Sequence, residues 1–166
     1  MAPLTIMPAN ESDVPFLLEM IRELAEFEHL AQELEVTADS LRSALFGDRP
    51  AAAALLARVN GFPVGYAVYY RTFSTFVGRP GIFLDDLYVR PEFRKRGIGH
   101  ALLKAVAAVI PDTGGGRFEW IALRWNEAAL RFYRGLGAKV MDDWAMLRMN
   151  NREVGNLVAS KAKEKT

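Results

Sequence analysis

The spacing of apolar residues changes along the chain, and each change marks an element. In VPFLLEMIRELAEFEHL (14–30), Phe16, Met20, Leu24 and Phe27 recur at intervals of three and four, the period of one helix face. Ser12 and Asp13 stand where N-caps belong, and Thr37 opens a second, shorter helix through TADSLRSALF. The runs AAALLARV and VGYAVYYRTF are strand-like and flank Asn60-Gly61, a strong signal for a tight hairpin. LTIMPA before the first helix and GIFLDDLYV, stopped by Pro91, read as further strands. From Gly97, GIGHALLKAVAAVI is helical until Pro111 and the glycines 114–116. RFEWIALRW is strand-like. NEAALRFYRGLG is a short helix with Asn126 as cap and Gly135 or Gly137 as stop, and AKVM and WAMLRMN close the chain as strands.

The predicted order is β-α-α-β-β-β-α-β-α-β-β. A strand–helix–strand crossover in an otherwise antiparallel arrangement demands one locally parallel pair. The fold class is therefore α+β: a mixed central sheet of about seven strands with helices on both faces. With 166 residues and no linker or repeat, residues 1–166 make one domain. The net charge of +1 supplies no global field towards nucleic acid or a membrane, so a basic site must be local. There is no cysteine, which removes disulfides, thiolate metal sites and a thiol nucleophile. MAPLTIMPAN lacks the pattern of a signal peptide, and PAAAALLARV is too short to span a bilayer. A cytoplasmic protein with a frayed SKAKEKT tail is expected.

Between the strand at 82–89 and the helix at 97–110 lies RPEFRKR, followed by Gly97 and Gly99. A helix N-terminus offers N–H groups and partial positive charge, glycines admit a ligand close to the backbone, and Arg94, Lys95 and Arg96 add full charge. This combination suits phosphate or pyrophosphate, although a solvated basic turn has the same composition. Leu102 occupies the third small position of a dinucleotide fingerprint, and no Gly-Lys-Ser/Thr marks a nucleotide P-loop. Alternation along LDDLYV places Asp85 and Asp86 on opposite faces of their strand. A carboxylate on a central strand is costly without a partner, so both are candidates for chemistry or for pairing with an arginine.

LYVRPEFRKRGIGHALL resembles the acetyl-CoA signature of the GCN5-related N-acetyltransferase (GNAT) family, with Arg-x-x-Gly-x-Gly at 94–99. WNEAALRFYRGLGA (125–138) resembles that family's second signature, and the two occur in the family's order. The resemblance implies a GNAT-like sheet whose parallel strands splay apart, with acetyl-CoA as co-substrate and no metal. By the same resemblance, backbone N–H groups of Arg94, Lys95, Arg96, Gly97, Ile98 and Gly99 hold the pyrophosphate. Backbone groups of Leu87 and Val89 then pair with the pantetheine arm, which Asn126 also contacts unless it is only a helix cap. Tyr133 falls at the family's general acid; read alone, it is equally a core aromatic beside Phe132. Asp85 falls where many relatives carry a glutamate that takes the amine's proton through water, and Asp86 on the substrate side.

IRELAEFEHL and YYRTFSTFVGRPGIFLDDLYV resemble the diamine acetyltransferase branch, which includes spermidine/spermine and thialysine acetyltransferases. Ser74 replaces an acidic residue of the polyamine-type members, which argues against a long polyamine. The implied reaction is acetyl transfer to a primary amine of a small diamine-like or thialysine/lysine-like molecule, in a ternary complex. Glu28 and Asp86 are expected to anchor an ammonium, and Phe27, Phe73 and Phe76 to wall it. Glu23, Glu26 and Glu28 also read as a solvated helix end, and His29 and His100 carry little chemistry. The branch further implies a homodimer that pairs through its C-terminal strands. A protein N-terminal or lysine acetyltransferase, or a non-catalytic CoA-binding protein, are the competing readings.

Overall fold

The computed structural model describes residues 3–110 and 115–160, so Pro111, Gly114 and the tail from Lys161 lie outside the described residues. They divide into two compact units, one up to Ile121 and one from Ala122. The first holds β1 (Leu4–Pro8), α1 (Val14–Phe27), α2 (Ala38–Phe46), β2 (Ala53–Val59), β3 (Phe62–Ser74), β4 (Arg79–Val89), α3 (Ile98–Ala107) and β5 (Phe118–Trp120). The sheet runs β1-β2-β3-β4-β5 in space, antiparallel through β4 and parallel between β4 and β5.

Several local signals act as expected. Asn60 and Gly61 take φ of 52° and 80°, the left-handed pair that a two-residue hairpin turn requires between β2 and β3. Thr37 and Ser40 cap α2 reciprocally. The entry to α1 differs. Asn10 caps a 3-10 turn at Glu11–Asp13, and Asp13 then pairs with Arg58 of β2 in place of capping the helix. The buried face of α1 is Val14, Leu17, Leu18 and Met20, which leaves Phe16 and Phe27 exposed. The helix stops at Phe27, because His29 turns to a φ of 60° and Leu30 N–H closes on the Ala25 carbonyl at 2.8 Å.

Alternation in the central strands feeds two cores. Ala54, Leu56, Tyr66, Val68 and Tyr88 pack with α1 and α2. Leu55, Ala57, Ala67 and Leu84 point the other way, the side on which α3 buries Ile98, Leu102, Leu103 and Val106. Burying these apolar side chains, at roughly 1.5–3 kcal/mol each, is what fixes this register.

The expectation of about seven strands is corrected to five among the described residues. β5 covers only Phe118–Trp120 of the predicted 117–125, and neither AKVM nor WAMLRMN forms a strand. The first shortfall has a cause in β4. Val68 pairs with Asp86 and Tyr69 with Leu84, so Asp85 is an extra, unpaired residue: a β-bulge. A bulge bends its strand, and the parallel ladder ends just before it, at Leu84–Trp120.

In the second unit, α4 (Glu127–Gly135) begins at the Asn126 cap and is followed by Gly137 at φ 91°. Asp142 and Asp143 form a turn between the two segments expected as closing strands, in which Trp144 N–H donates to the Met141 carbonyl at 3.2 Å. A strand exists only where a ladder partner satisfies its backbone, and residues 138–150 have none among the described residues. A further helix, α5 (Asn151–Ala159), was absent from the sequence prediction. Its Asn150–Glu153 capping box is the signal that marks it. Among the described residues no helix is long and apolar enough to cross a membrane.

Candidate active site

The bulge determines what Asp85 and Asp86 can do. Strict alternation would send them to opposite faces, and the extra residue cancels that alternation. Asp86 pairs in register with Val68 and joins the α1 face, where the Tyr66 hydroxyl donates to its Oδ2 at 3.1 Å. Asp85 is more exposed, but its charge acts on Asp86, Tyr66 and Tyr70 together. The bulge therefore removes the alternation behind the opposite-faces expectation, and the charge of Asp85 reaches the same Asp86–Tyr66 pair.

Glu28, just beyond the end of α1, completes it, since its charge also acts on Asp86 and Tyr66. Burial, and then the charge of Asp85, push the Asp86 carboxyl up to about 6; Glu28 adds to this and the Tyr66 hydrogen bond opposes it. Burial alone raises Glu28 and Asp85. The fully buried Tyr66 hydroxyl is pushed far up, first by burial and then by Asp86, so it stays protonated and keeps its proton to donate to Asp86. Among the described residues, no cation pairs with Glu28, Asp85 or Asp86. Tyr70 stacks on Phe83 beside the bay, with ring centroids 5.2 Å apart. The result is a half-buried, aromatic-edged bay with three carboxylates and no counter-charge, suited to a cation.

Other predicted residues lie elsewhere. Glu23 pairs with Arg90 at 3.0 Å and bonds Tyr88, whose hydroxyl is pushed up to about 12 by burial and by Glu23. Glu26 is exposed on the helix surface. Phe73 and Phe76 sit at the turn end of the β3–β4 hairpin, Phe76 being 91% exposed. Phe73 pairs with Pro80, roughly 20 Å along β4 from Asp86, so neither phenylalanine walls this bay within one chain. Phe27 packs against Arg94. Tyr66, Tyr70 and Phe83 went unpredicted. Alternation in YAVYY groups the two tyrosines, but their register against Asp86 depends on the bulge.

At the other end of β4, Pro91–Phe93 forms a 3-10 turn, Lys95 takes a φ of 60° and Gly97 a φ of 79°. Gly97 is the N-cap of α3 and supplies no side-chain acceptor, so the N–H groups at the start of α3 are left for a ligand. Lys95 and Arg96 are exposed beside them, and Arg96 stacks over Phe93 at 5.2 Å. Leu87 and Val89 lie past the end of the parallel ladder, where β4 keeps a strand partner on the β3 side only. The Val89 carbonyl accepts a hydrogen bond from Arg94 Nε at 2.8 Å.

The family model for the acetyltransferase (GNAT) family matches residues 17–138, across both compact units. The chain belongs to the GNAT acetyltransferase family. It is 37% identical to a thialysine N-epsilon-acetyltransferase of Sus scrofa over 95% of this chain and 98% of that protein. It is 31% identical to a human spermidine/spermine N(1)-acetyltransferase-like protein 1 over 90% of this chain and 23% of that protein. Among solved structures, an integron cassette protein of V. cholerae shares the fold, with a TM-score of 0.78 at 21% identity over 96% of this chain and 99% of that one. These relationships place the chain in the diamine acetyltransferase branch, as an acetyl-CoA-dependent enzyme that transfers acetyl to an amine.

The loop fits that co-substrate. Uncapped helix N–H groups, a left-handed Gly97 and two exposed cations are the donor set a pyrophosphate requires. In the second unit of this acetyltransferase, Asn126 Oδ1 accepts from Ala129 N–H at 3.1 Å, so its cap role is real and its amide NH₂ is what it can offer a ligand. Tyr133, half-buried on α4, has its ring 5.2 Å from that of Phe132. Among the described residues no group of His, Cys, Asp and Glu is arranged to hold a metal ion.

Proposed function

We propose that this enzyme acetylates the terminal primary amine of a small diamine-like or thialysine/lysine-like substrate, by direct attack in a ternary complex. The observation that carries this reading is the bay of Glu28, Asp85 and Asp86, in which the first two act against ionisation of the third and none has an ion-pair partner among the described residues. Such a cluster is costly unless a ligand supplies the missing charge. The thialysine acetyltransferase relative, alike over nearly its whole length, supports the same substrate class.

Acetyl-CoA supplies an activated thioester. Asp86, fixed through Oδ2 by Tyr66, holds an ammonium of the acceptor, with Glu28 as second anchor. Asp85, its proton affinity raised by burial, takes the proton that the attacking nitrogen loses, through a water because the side chain is short. As the carbon–sulfur bond breaks, Tyr133 gives its proton to the departing thiolate. Backbone N–H groups from Lys95 to Gly99 hold the pyrophosphate, and the backbone at Leu87 and Val89 meets the pantetheine arm. The enzyme works as a homodimer in the cytoplasm; the exposed Trp144, Met146, Leu147 and Met149 of WAMLRMN support an interface there.

An acetyl-CoA consumption screen across diamines, lysine, thialysine, polyamines and peptides tests the substrate class. Turnover confined to peptides would overturn it. Tyr133→Phe tests the acid: kcat falls by about 10²–10⁴ with little change in either KM. Full kcat in that variant would return Tyr133 to a packing role.

A further inference from the structure

Arg94 is the first residue of the loop signature, yet its side chain turns away from the loop. The guanidinium lies 4.9 Å from the Phe27 ring centroid and 5.6 Å from that of Tyr88, and Nε donates to the Val89 carbonyl at 2.8 Å. Its backbone N–H donates to Pro91 at 3.2 Å, within the 3-10 turn. Phe27 ends α1, Tyr88 and Val89 end β4, and Arg94 opens the segment that leads into α3. One planar cation therefore ties three elements together, by ring stacking and a directed bond that a lysine could not reproduce.

We infer that Arg94 is a positioning residue: clamped between Phe27 and Tyr88, it sets the conformation of the 95–99 loop and so governs CoA affinity without itself holding a phosphate. Phe27 then acts on the CoA side of the enzyme and does not wall the amine bay. The contrast with its neighbours supports this division. Lys95 is exposed at the tip, and Arg96 stacks on Phe93 within the loop itself. The clamp also has reach, because Glu28 directly follows Phe27 and both therefore depend on where α1 ends.

The test is a calorimetric titration of the full chain with CoA, with no amine present, so its outcome is independent of the substrate proposed above. Arg94→Gln and Phe27→Leu should each weaken CoA by about five- to tenfold, the loss of one or two stacking contacts. The double variant should be no more than about twofold worse than the weaker single, because both break one clamp. Phe27→Tyr, which keeps the ring, should bind as wild type. The dependence of affinity on salt should be unchanged in Arg94→Gln, since no phosphate contact is lost. A flatter salt dependence in Arg94→Gln, or wild-type CoA affinity in Phe27→Leu, overturns the inference and makes Arg94 a direct phosphate ligand. The salt comparison stands on Arg94→Gln alone, so it decides the matter even if Phe27→Leu fails to fold.

Discussion

Asp86 and Arg94 stand only eight positions apart, yet the acid bay and the basic loop handle charge in opposite ways. The bay collects three carboxylates beside the buried Tyr66, where Asp85 and Glu28 raise the cost of ionising Asp86. The loop keeps Lys95 and Arg96 in solvent and relies on backbone N–H groups, which carry partial charge and no protonation state. A site made of backbone costs the apo protein little and has no pH dependence of its own. A site made of crowded, half-buried carboxylates destabilises the apo protein as it ionises, and Asp86 within it titrates at about 6. The two halves should therefore fail differently when perturbed.

The largest effect is expected in the loop. Gly97→Asp places a carboxylate at the uncapped N-terminus of α3, and a Cβ there meets nothing within 4 Å. Aspartate tolerates the left-handed φ of 79° comparatively well, and an acid at a helix N-terminus is favourable in the apo state. The fold should survive while CoA affinity falls by about 10²–10³-fold through repulsion of the phosphates. Calorimetry checks the affinity and a melting curve checks the fold. Near wild-type CoA binding would break the assignment of this loop.

A smaller effect, of opposite character, is expected in the bay. Asp86→Asn should raise the amine KM by about 10²-fold and leave CoA affinity unchanged. Folded Asp86 titrates at about 6, against an ordinary value of 3.8, so the folded chain binds this proton more tightly than the unfolded one does. Ionising it therefore costs stability: the penalty is absent below about pH 4, grows as the pH rises towards 6 and is complete above that. Asparagine removes it. The variant should gain about 1–3 kcal/mol at pH 7.5 and nothing at pH 4, read from denaturant melts at both. A variant equally stable or weaker at pH 7.5 would mean that the bay carries no such penalty.

The same contrast explains what could be read from the sequence. The loop, the Asn60-Gly61 hairpin and the Thr37 cap are local devices, in which residues within a few positions set the geometry, and each appears where the sequence puts it. The bay depends on pairs far apart in sequence: Tyr66 with Asp86, and Glu28 with both. Its decisive feature, the bulge at Asp85, is visible only as a register shift against β3, which LDDLYV read alone does not specify. The direction of the Arg94 side chain was hidden for the same reason, since Phe27 approaches it from another element. The closing strands failed because a strand's existence depends on a partner that its own residues do not specify.

The smallest effect tests whether the bay is positioned or merely lined. Tyr66 is wholly buried, and its hydroxyl donates to Asp86 Oδ2 at 3.1 Å. That bond favours the ionised carboxylate, against the burial and repulsion that disfavour it. Tyr66→Phe removes one oxygen, keeps the ring in the core and leaves Oδ2 without its donor. The carboxyl should then titrate above about 6, so the acidic limb of kcat/KM for the amine should move to higher pH. The amine KM at pH 7.5 should rise by about three- to tenfold, with CoA affinity unchanged. Stability at pH 7.5 should fall by about 1–3 kcal/mol, because the ionised carboxylate loses its donor and its ionisation penalty grows, while at pH 4 the loss should be smaller. An unmoved acidic limb would mean that Asp86 keeps its orientation and proton affinity without Tyr66, and that the ring alone matters. A shifted limb with an unchanged KM would separate the two roles, leaving Tyr66 to tune the proton and Glu28 to hold the ammonium.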